Sequence, residues 1–533
     1  RFMDEVTAFD PSGGPWGRGY LRAVQHISPD DWFFDGHFKN DPCMPGTLMF
    51  EGCVQVMAFY MSACGWTLDR DGWVFEPVPE QPYLLRCRGQ VDPSARELVY
   101  EVFVREVHDG PKPMLFADLM CTVDGLKAFH CGRMGLQLAP DWPMDDLAED
   151  LLDGYTEPVP VAESSDGHAF GYDSLLACAW GRPTRAFGQM YEPFDSHRKV
   201  ARLPGPPYHF ISRVLEVDPE AQGAMESGCE LVVEYDVPED AWYFEENGAP
   251  VMPYAVLLEA VLQPCGWLAS YVGCALTRDI DLFFRNLDGT SNQHMEVTPA
   301  TGTLRSHVTL RNIARAGGNI IVAFDVDMRT REGEPVFEMD TVFGFFPGEA
   351  LAAQIGLPVD EELRAWHDTD PDHVVVDLTE RPARYCEGSL RLAEPMLLML
   401  DRITAWEPEG GEFGLGRARA VKDVDPSEWF FKAHFFQDPV QPGSLGLEAL
   451  AQLLQWVMLE QDMGQDLERP RFEAVAVDED LTWKYRGQVL THNERITSTL
   501  EVMKTGTDER GVWAEARGSL WVDGARIYHA DPL

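Results

Sequence analysis

No stretch of this sequence stays apolar for the roughly 18 residues that a bilayer-spanning helix needs. The chain opens on Arg1-Phe2-Met3-Asp4, without a cationic-then-apolar export segment. A cytoplasmic protein with no membrane span is the expectation. Paired cysteines are also missing. The 11 cysteines are scattered, none in a CxxC arrangement, and most stand in apolar stretches such as those around Cys53 and Cys64, so they read as buried thiols. Positive charge is scarce: 43 Lys and Arg against 88 Asp and Glu leave a formal charge of −45, which repels nucleic acid and anionic membranes. No GxGxxG or Walker pattern opens a helix after a strand, and the 14 histidines are dispersed, so neither a nucleotide nor a metal is expected.

What is present is material for several cores. The 533 residues are 45% hydrophobic and 11% aromatic, and a chain of that length divides into roughly two to four domains. Self-similarity shows how. Met-Asp-Glu-Val-Thr-Ala-Phe-Asp-Pro from Met3 is answered by Leu-Asp-Arg-Ile-Thr-Ala-Trp-Glu-Pro from Leu400, and the two stay in ungapped register through DDWFFDGHFKNDPCMPGTLMFEG and SEWFFKAHFFQDPVQPGSLGLEA. Arg86-Cys-Arg-Gly-Gln90 then answers Lys484-Tyr-Arg-Gly-Gln488, each followed by alternating apolar residues that read as strands. A weaker copy lies between them: HFISRVLEVDPEA from His209, AWYFEENGAPVMPYAVLLEAVLQPCGW from Ala241, then strand-like VVEYDV and IIVAFDVDM. Boundaries fall in the acidic, Pro-containing stretch 140–165 and the polar stretch 350–385. Three α+β domains result, over 1–145, 165–350 and 380–533, the first with an N-terminal edge expected to be truncated.

One constellation recurs. His37 is followed nine residues later by Gly46 and fourteen later by Glu51, with Gln55 one helical turn beyond; the third repeat has His434, Gly443, Glu448 and Gln452. Pro-Gly leading into an almost wholly apolar run marks the start of a buried helix. A carboxylate inside such a helix is costly unless paired or protonated, so a desolvated Glu with a raised pKa can serve as an acid, with the Gln on the same face to position it. A single buried Glu is more often structural, bonded to backbone or to an Arg. Recurrence of the whole set at identical spacing is what points to chemistry.

With these residues in hand, repeats 1 and 3 resemble the 3-hydroxyacyl-carrier-protein dehydratases of bacterial fatty acid synthesis. The match runs through the opening strand, the Trp-Phe-Phe segment, His-Phe-x-x-Asp-Pro-x-x-Pro-Gly, the acidic residue and the Gly-Gln-Val strand. Tandem copies in one chain further resemble the dehydratase region of polyunsaturated fatty acid synthases. The resemblance implies three tandem hot-dog folds, each an antiparallel sheet wrapped around a long central helix. It implies His37 and His434 as bases for the C2 proton of a thioester, Gly46 and Gly443 as amides on its carbonyl, and a Glu that protonates the departing C3 hydroxyl. Family members divide between Asp and Glu at the acidic position, and all three repeats here have Glu. No cofactor is implied beyond the phosphopantetheine thioester of an acyl carrier protein. That carrier, other domains of the same synthase and a homodimer are the implied partners, with Arg198, Lys199 and Arg202 as a candidate cationic docking spot or a solvated loop.

In the middle repeat Glu259 and Gln263 are kept and the histidine is lost. Alignment on Met252-Pro253 puts Glu245 at its place, alignment on Trp242 puts Asn247 there, and Tyr254 replaces the glycine. This copy reads as unable to catalyse alone. By resemblance to polyketide dehydratases, which take His from one half of a double hot dog and the acid from the other, His37 is expected to work with Glu259 and Gln263, leaving His434 to a further hot dog with an equivalent of Glu448. The rival pairing joins repeats 1 and 3, His37 with Glu448 and His434 with Glu51. Chain adjacency favours the first. A hot-dog thioesterase and a non-catalytic acyl-holding scaffold are the competing functions, and whether a trans-2 double bond is also moved to cis-3 stays open.

Overall fold

Each repeat turns its apolar run into one 18-residue helix that starts directly after a proline held in extended backbone: Pro45, Pro253 and Pro442. A short helix precedes each. In chain order these are α1 (Trp32–Gly36) and α2 (Gly46–Ala63), α3 (Trp242–Glu246) and α4 (Tyr254–Tyr271), and α5 (Trp429–Ala433) and α6 (Gly443–Glu460). The computed structural model describes all residues except 1, 69, 71, 110–111, 145–151, 153–154, 196–197 and 371. They divide into two units, one made of residues 1–142 with Asp195, the other of 143–194 and 198–533. The boundary expected at 145 lies outside the described residues.

The first unit is one hot dog. Its strands are β1 (Glu5–Asp10), β2 (Tyr20–His26), β3 (Trp73–Pro77), β4 (Leu84–Cys87), β5 (Glu97–His108), β6 (Met114–Val123) and β7 (Leu126–Pro140). They pair antiparallel in the order β1-β2-β5-β6-β7-β3, with β4 also on β7, and α2 packs on β5, β6 and β7. The period-2 pattern of β5 and β6 delivers Leu98, Tyr100, Val102, Leu115, Ala117 and Leu119 to the core against Cys53, Val56 and Met57 of α2.

The second unit holds the middle and third repeats on one 13-stranded sheet. The middle repeat gives β8 (Arg213–Val217), β9 (Glu230–Asp236), β10 (Phe283–Gln293), β11 (Thr303–Ala316), β12 (Asn319–Thr330) and β13 (Pro335–Phe346). The third gives β14 (Val376–Asp377), β15 (Arg402–Glu407), β16 (Arg417–Asp423), β17 (Asp480–Tyr485), β18 (Arg495–Thr507), β19 (Val512–Val522) and β20 (Ala525–Ala530). The order is β14-β15-β16-β18-β19-β20-β17-β10-β13-β12-β11-β9-β8. The join is the antiparallel pair β10–β17, where Gly289 faces Trp483. A Cβ on Gly289 would lie 2.3 Å from the Trp483 ring, so only glycine admits the indole, whose Nε1 donates to Asn286 Oδ1 at 2.8 Å. This ladder fuses two sheets into one and brings α4 against α6.

The stretch 350–385, read as a polar boundary, contains helices Gly348–Ala352 and Glu361–His367. The buried guanidinium of Arg419 ties its end down by donating to the carbonyls of Trp366, His367, Thr369 and Asp370. Elements this short show too little periodicity to be read. Of the cysteines, Cys87 is exposed and Cys64 partly so. Tyr254–Thr277 is long and apolar enough to cross a bilayer by composition alone, but it is the core of the second unit and 94% buried.

Candidate active site

His434 caps the C-terminus of α5, and its Nδ1 lies 2.9 Å from the carbonyl oxygen of Val440. A carbonyl only accepts, so Nδ1 carries the hydrogen and Nε2 keeps its lone pair. The ring is 8% exposed, and burial pushes its pKa down to about 3, which leaves it neutral with a free Nε2 lone pair. It lines a cavity of about 60 Å³ together with Gly443, Ser444, Glu259, Gln263, Tyr485 and Tyr528. Gly443 opens α6, so its N–H has no intrahelical acceptor, and a Cβ there would sit 3.2 Å from the Tyr485 ring. The backbone is bare where a carbonyl oxygen can approach a helix N-terminus.

The carboxyl on this cavity comes from the other repeat. Glu259 is 5% exposed, and desolvation raises its pKa to about 7 against the weaker opposing effect of hydrogen bonds from Ser444 and Gln263. Ser444 Oγ donates to Glu259 Oε2 at 2.8 Å. The loop after His434 is clamped from the same side. Arg285 of β10 makes a bidentate pair with Asp438, at 2.6 and 2.8 Å, and its Nε donates to Gln488 Oε1 at 3.0 Å. A planar fork on a carboxylate fixes orientation as well as distance.

Glu259 and Gln263 therefore share a cavity with His434, and the expected pairing of His37 with Glu259 is corrected. The same cavity bears on the two partners expected for His434, an equivalent of Glu448 in the first pairing and Glu51 in the rival: the carboxyl that lines it with His434 is Glu259 of α4. The middle repeat is adjacent to both neighbours in sequence, so adjacency could not discriminate. The β10–β17 ladder decides.

The mirror position in the second unit is built from different residues. Asn247 caps α3 as His434 caps α5, and its Nδ2 donates to Val251 O at 2.9 Å, which replaces the imidazole bond and settles the choice between Glu245 and Asn247. Tyr254 stands where the glycine should be, with its hydroxyl on Ser291 Oγ at 2.6 Å. Glu448 is 5% exposed and raised by burial to about 7, but its partners are Gln452 Nε2 at 3.1 Å and the Ala255 N–H at 3.4 Å. Neither Glu448 nor Gln452 lines the His434 cavity.

In the first unit His37 caps α1 with Nδ1 2.9 Å from Cys43 O, and Gly46 opens α2. Glu51, expected to be buried, is exposed. Apolar composition of a helix does not say which face its own fold covers. Gln55 Nε2 donates to Glu51 Oε1 at 3.0 Å and Gln55 Oε1 accepts from Phe2 N–H, the same bond that Gln263 accepts from Phe210 and Gln452 from Met399, each across 53 residues.

The candidate cationic spot is mixed. Arg202 is buried, donating to Gly181 O at 2.7 Å and Gln437 Oε1 at 3.2 Å, so it anchors the His434 loop. Arg198 donates to the carbonyls of Arg278 and Ile280. Lys199 stands over the Phe283 ring in a crevice that shares Arg202, Phe284 and Phe435 with the His434 cavity. Among the described residues no group of three or more His, Cys, Asp or Glu could hold a metal ion. Sequence reading missed Arg285, Ser444 and Tyr208. Only Ser444 carried a signal, as the hydroxyl residue after glycine in both His-bearing repeats.

Comparison with known proteins follows these boundaries. A family model described as the FabA-like domain matches residues 1–131, 203–340 and 392–531. The chain is 26% identical over 666 aligned positions to one component of the polyunsaturated fatty acid synthase of Thraustochytrium sp. (strain ATCC 26185 / S-3), covering 100% of this chain and 44% of that protein. It thus spans under half the length of that relative. Solved structures similar to it include the dehydratase domain of RzxB from Pseudomonas fluorescens, with 10% identity, TM-score 0.33, and 61% of this chain and 97% of that one covered. The 12:0-ACP thioesterase from Umbellularia californica matches with 12% identity and TM-score 0.31, covering 57% and 94%.

Proposed function

The chain belongs to the FabA-like domain family, three times over, and on that premise we propose that its second unit dehydrates 3-hydroxyacyl thioesters borne on an acyl carrier protein. The observation that carries this reading is a neutral imidazole and a carboxyl raised by burial to about 7, contributed by two different repeats, on one cavity at the head of a helix. The Gly443 N–H polarises the thioester carbonyl and acidifies C2. His434 Nε2 takes the C2 proton. Glu259 delivers its proton to the C3 hydroxyl, the C3–O bond breaks, and water leaves as the C2–C3 double bond forms. Return of the proton from His434 to Glu259 resets the site. Polyunsaturated fatty acid synthesis is the setting, and Lys199 at the neighbouring crevice suits the phosphate of a phosphopantetheine arm. The first unit repeats the base, amide, Glu51 and Gln55, and forms a second centre once another hot dog faces His37 with a carboxyl.

The test is turnover of a 3-hydroxybutyryl pantetheine thioester by the chain carrying His37→Ala, which isolates the second unit, with the enoyl product read by ultraviolet absorbance and free thiol assayed in parallel. Glu259 must be protonated and His434 neutral. Their pKa values of about 7 and about 3 therefore bound the active range, and kcat should fall about tenfold per pH unit above it. Release of thiol without enoyl product would establish a thioesterase instead. An alkaline limb near the ordinary carboxylate value of 4.5 would remove Glu259 as the acid.

A further inference from the structure

Ser444 and Tyr208 have no part in the steps above, yet both are buried beside the acid, 1% and 0% exposed. Tyr208 OH lies 2.9 Å from Ser444 Oγ, which in turn lies 2.8 Å from Glu259 Oε2. Each hydroxyl has one hydrogen to give. The alternative acceptor for Tyr208, the Ala255 carbonyl, stands at 3.5 Å, so the short contact to Ser444 takes the tyrosine hydrogen. That leaves the serine hydrogen for Glu259.

We infer that Ser444, itself set by Tyr208, is a positioning residue that decides which oxygen of Glu259 carries the acidic proton. Oε2 accepts the serine hydrogen and is the poorer place for a second one, so the proton resides on Oε1. A buried carboxylic acid without such a donor is held to neither oxygen nor to one rotamer, so its acidic hydrogen is seldom aimed at the leaving hydroxyl.

The three repeats carry the second, independent observation. A hydroxyl follows the glycine wherever the histidine is present: Thr47 after Gly46, Ser444 after Gly443. In the repeat that has Asn247 for His and Tyr254 for Gly, the next residue is Ala255, and Glu448, the carboxyl facing it, receives from that position a backbone N–H at 3.4 Å in place of a hydroxyl, beside the donation from Gln452 at 3.1 Å. Hydroxyl and imidazole are kept together and lost together. A hydroxyl needed only for packing has no reason to follow a histidine at the end of a different helix.

Of the other described groups around Glu259, Gln263 alone also donates to it. From the sheet, Tyr485 and Tyr528 line the cavity with Arg285, whose charge is spent on Asp438. His434 is neutral, Arg202 bonds to backbone carbonyls and Gln437, Gln263 gives the second donation, and Glu448 of α6 is engaged by Gln452.

This inference rests on the dehydratase reading, and the experiment separates the two. In the full chain with His37→Ala, Ser444→Ala should lower kcat about tenfold with little change in KM, and should move the alkaline limb up by about half to one pH unit, since a donor to the carboxylate has been removed. Ser444→Thr should restore both, and Tyr208→Phe should move the limb in the same direction by less. Infrared titration of the Glu259 carboxyl, with Glu259→Gln as the blank, reads the same upward shift without any turnover. A pKa that stays put or falls, as admission of water to a loosened site would cause, or a failure of threonine to rescue, overturns the role of Ser444. A shift by infrared in a chain that turns nothing over would keep the hydroxyl assignment and sink the dehydratase.

Discussion

With His37→Ala in place, His434→Asn should lower dehydration by the second unit about 100- to 10,000-fold, the range a positioned general base supplies. Asparagine is chosen because the protein already uses it at this position. Asn247 caps its helix and holds the following loop through Val251 O, as His434 does through Val440 O. The variant should keep the melting temperature of its parent within a few degrees, because the cap and the loop bond survive and only the Nε2 lone pair is lost. Activity above a tenth of the parent value would mean that the C2 proton goes elsewhere.

Glu259→Gln should do as much damage, and Glu448→Gln almost none. The two glutamates look alike: each sits at the same place in an 18-residue helix, 5% exposed, raised by burial to about 7 and served by a Gln four residues on. They differ in what they face. Glu259 shares a cavity with His434, whereas Glu448 meets the start of α4, where the Tyr254 side chain stands in place of the bare glycine and Asn247 supplies no base. The amide keeps the shape of the acid but cannot protonate a leaving hydroxyl, so only one of the substitutions touches chemistry. Glu448→Gln has a consequence of its own. Because the folded value of about 7 exceeds the ordinary 4.5, the folded state holds this proton more tightly than the unfolded chain, and that stabilisation is lost as pH rises through the window. A glutamine never has to ionise. The variant should therefore melt higher than its parent at pH 8, and calorimetry at the two ends of the window would show it; equal melting at both pH values would deny the burial of that carboxyl.

Much of this site was legible because the chain repeats itself. The ungapped register of 3–55 with 400–452 isolates His, Gly, Glu and Gln from a background that differs elsewhere, and in each repeat the Gln makes the bond expected of it. The ambiguity between Glu245 and Asn247 also has a physical cause. His434 reaches a carbonyl six residues on and Asn247 one only four residues on, so the loop is two residues shorter in the middle repeat, and alignments anchored on either side of it disagree by two.

What the motifs could not show was who pairs with whom. The decision is made by main-chain hydrogen bonds between β10 and β17 and by a glycine that accommodates Trp483, neither of which belongs to the catalytic pattern. Arg285 was invisible for the same reason: its partners, Asp438 and Gln488, are 153 and 203 residues away. The exposure of Glu51 could not be read from α2, since an apolar helix in a hot dog is covered on one face by its own sheet and on the other by a second fold.

The central claim is that base and acid belong to one polypeptide and one fused unit. Mixing chains that carry His37→Ala and His434→Asn with chains that carry His37→Ala and Glu259→Gln tests it directly. Neither chain then has a complete centre, and the mixture, even after dissociation and refolding together, should be as inactive as its components. Recovery of activity would show that His434 of one chain draws its proton donor from another, and would contradict the account.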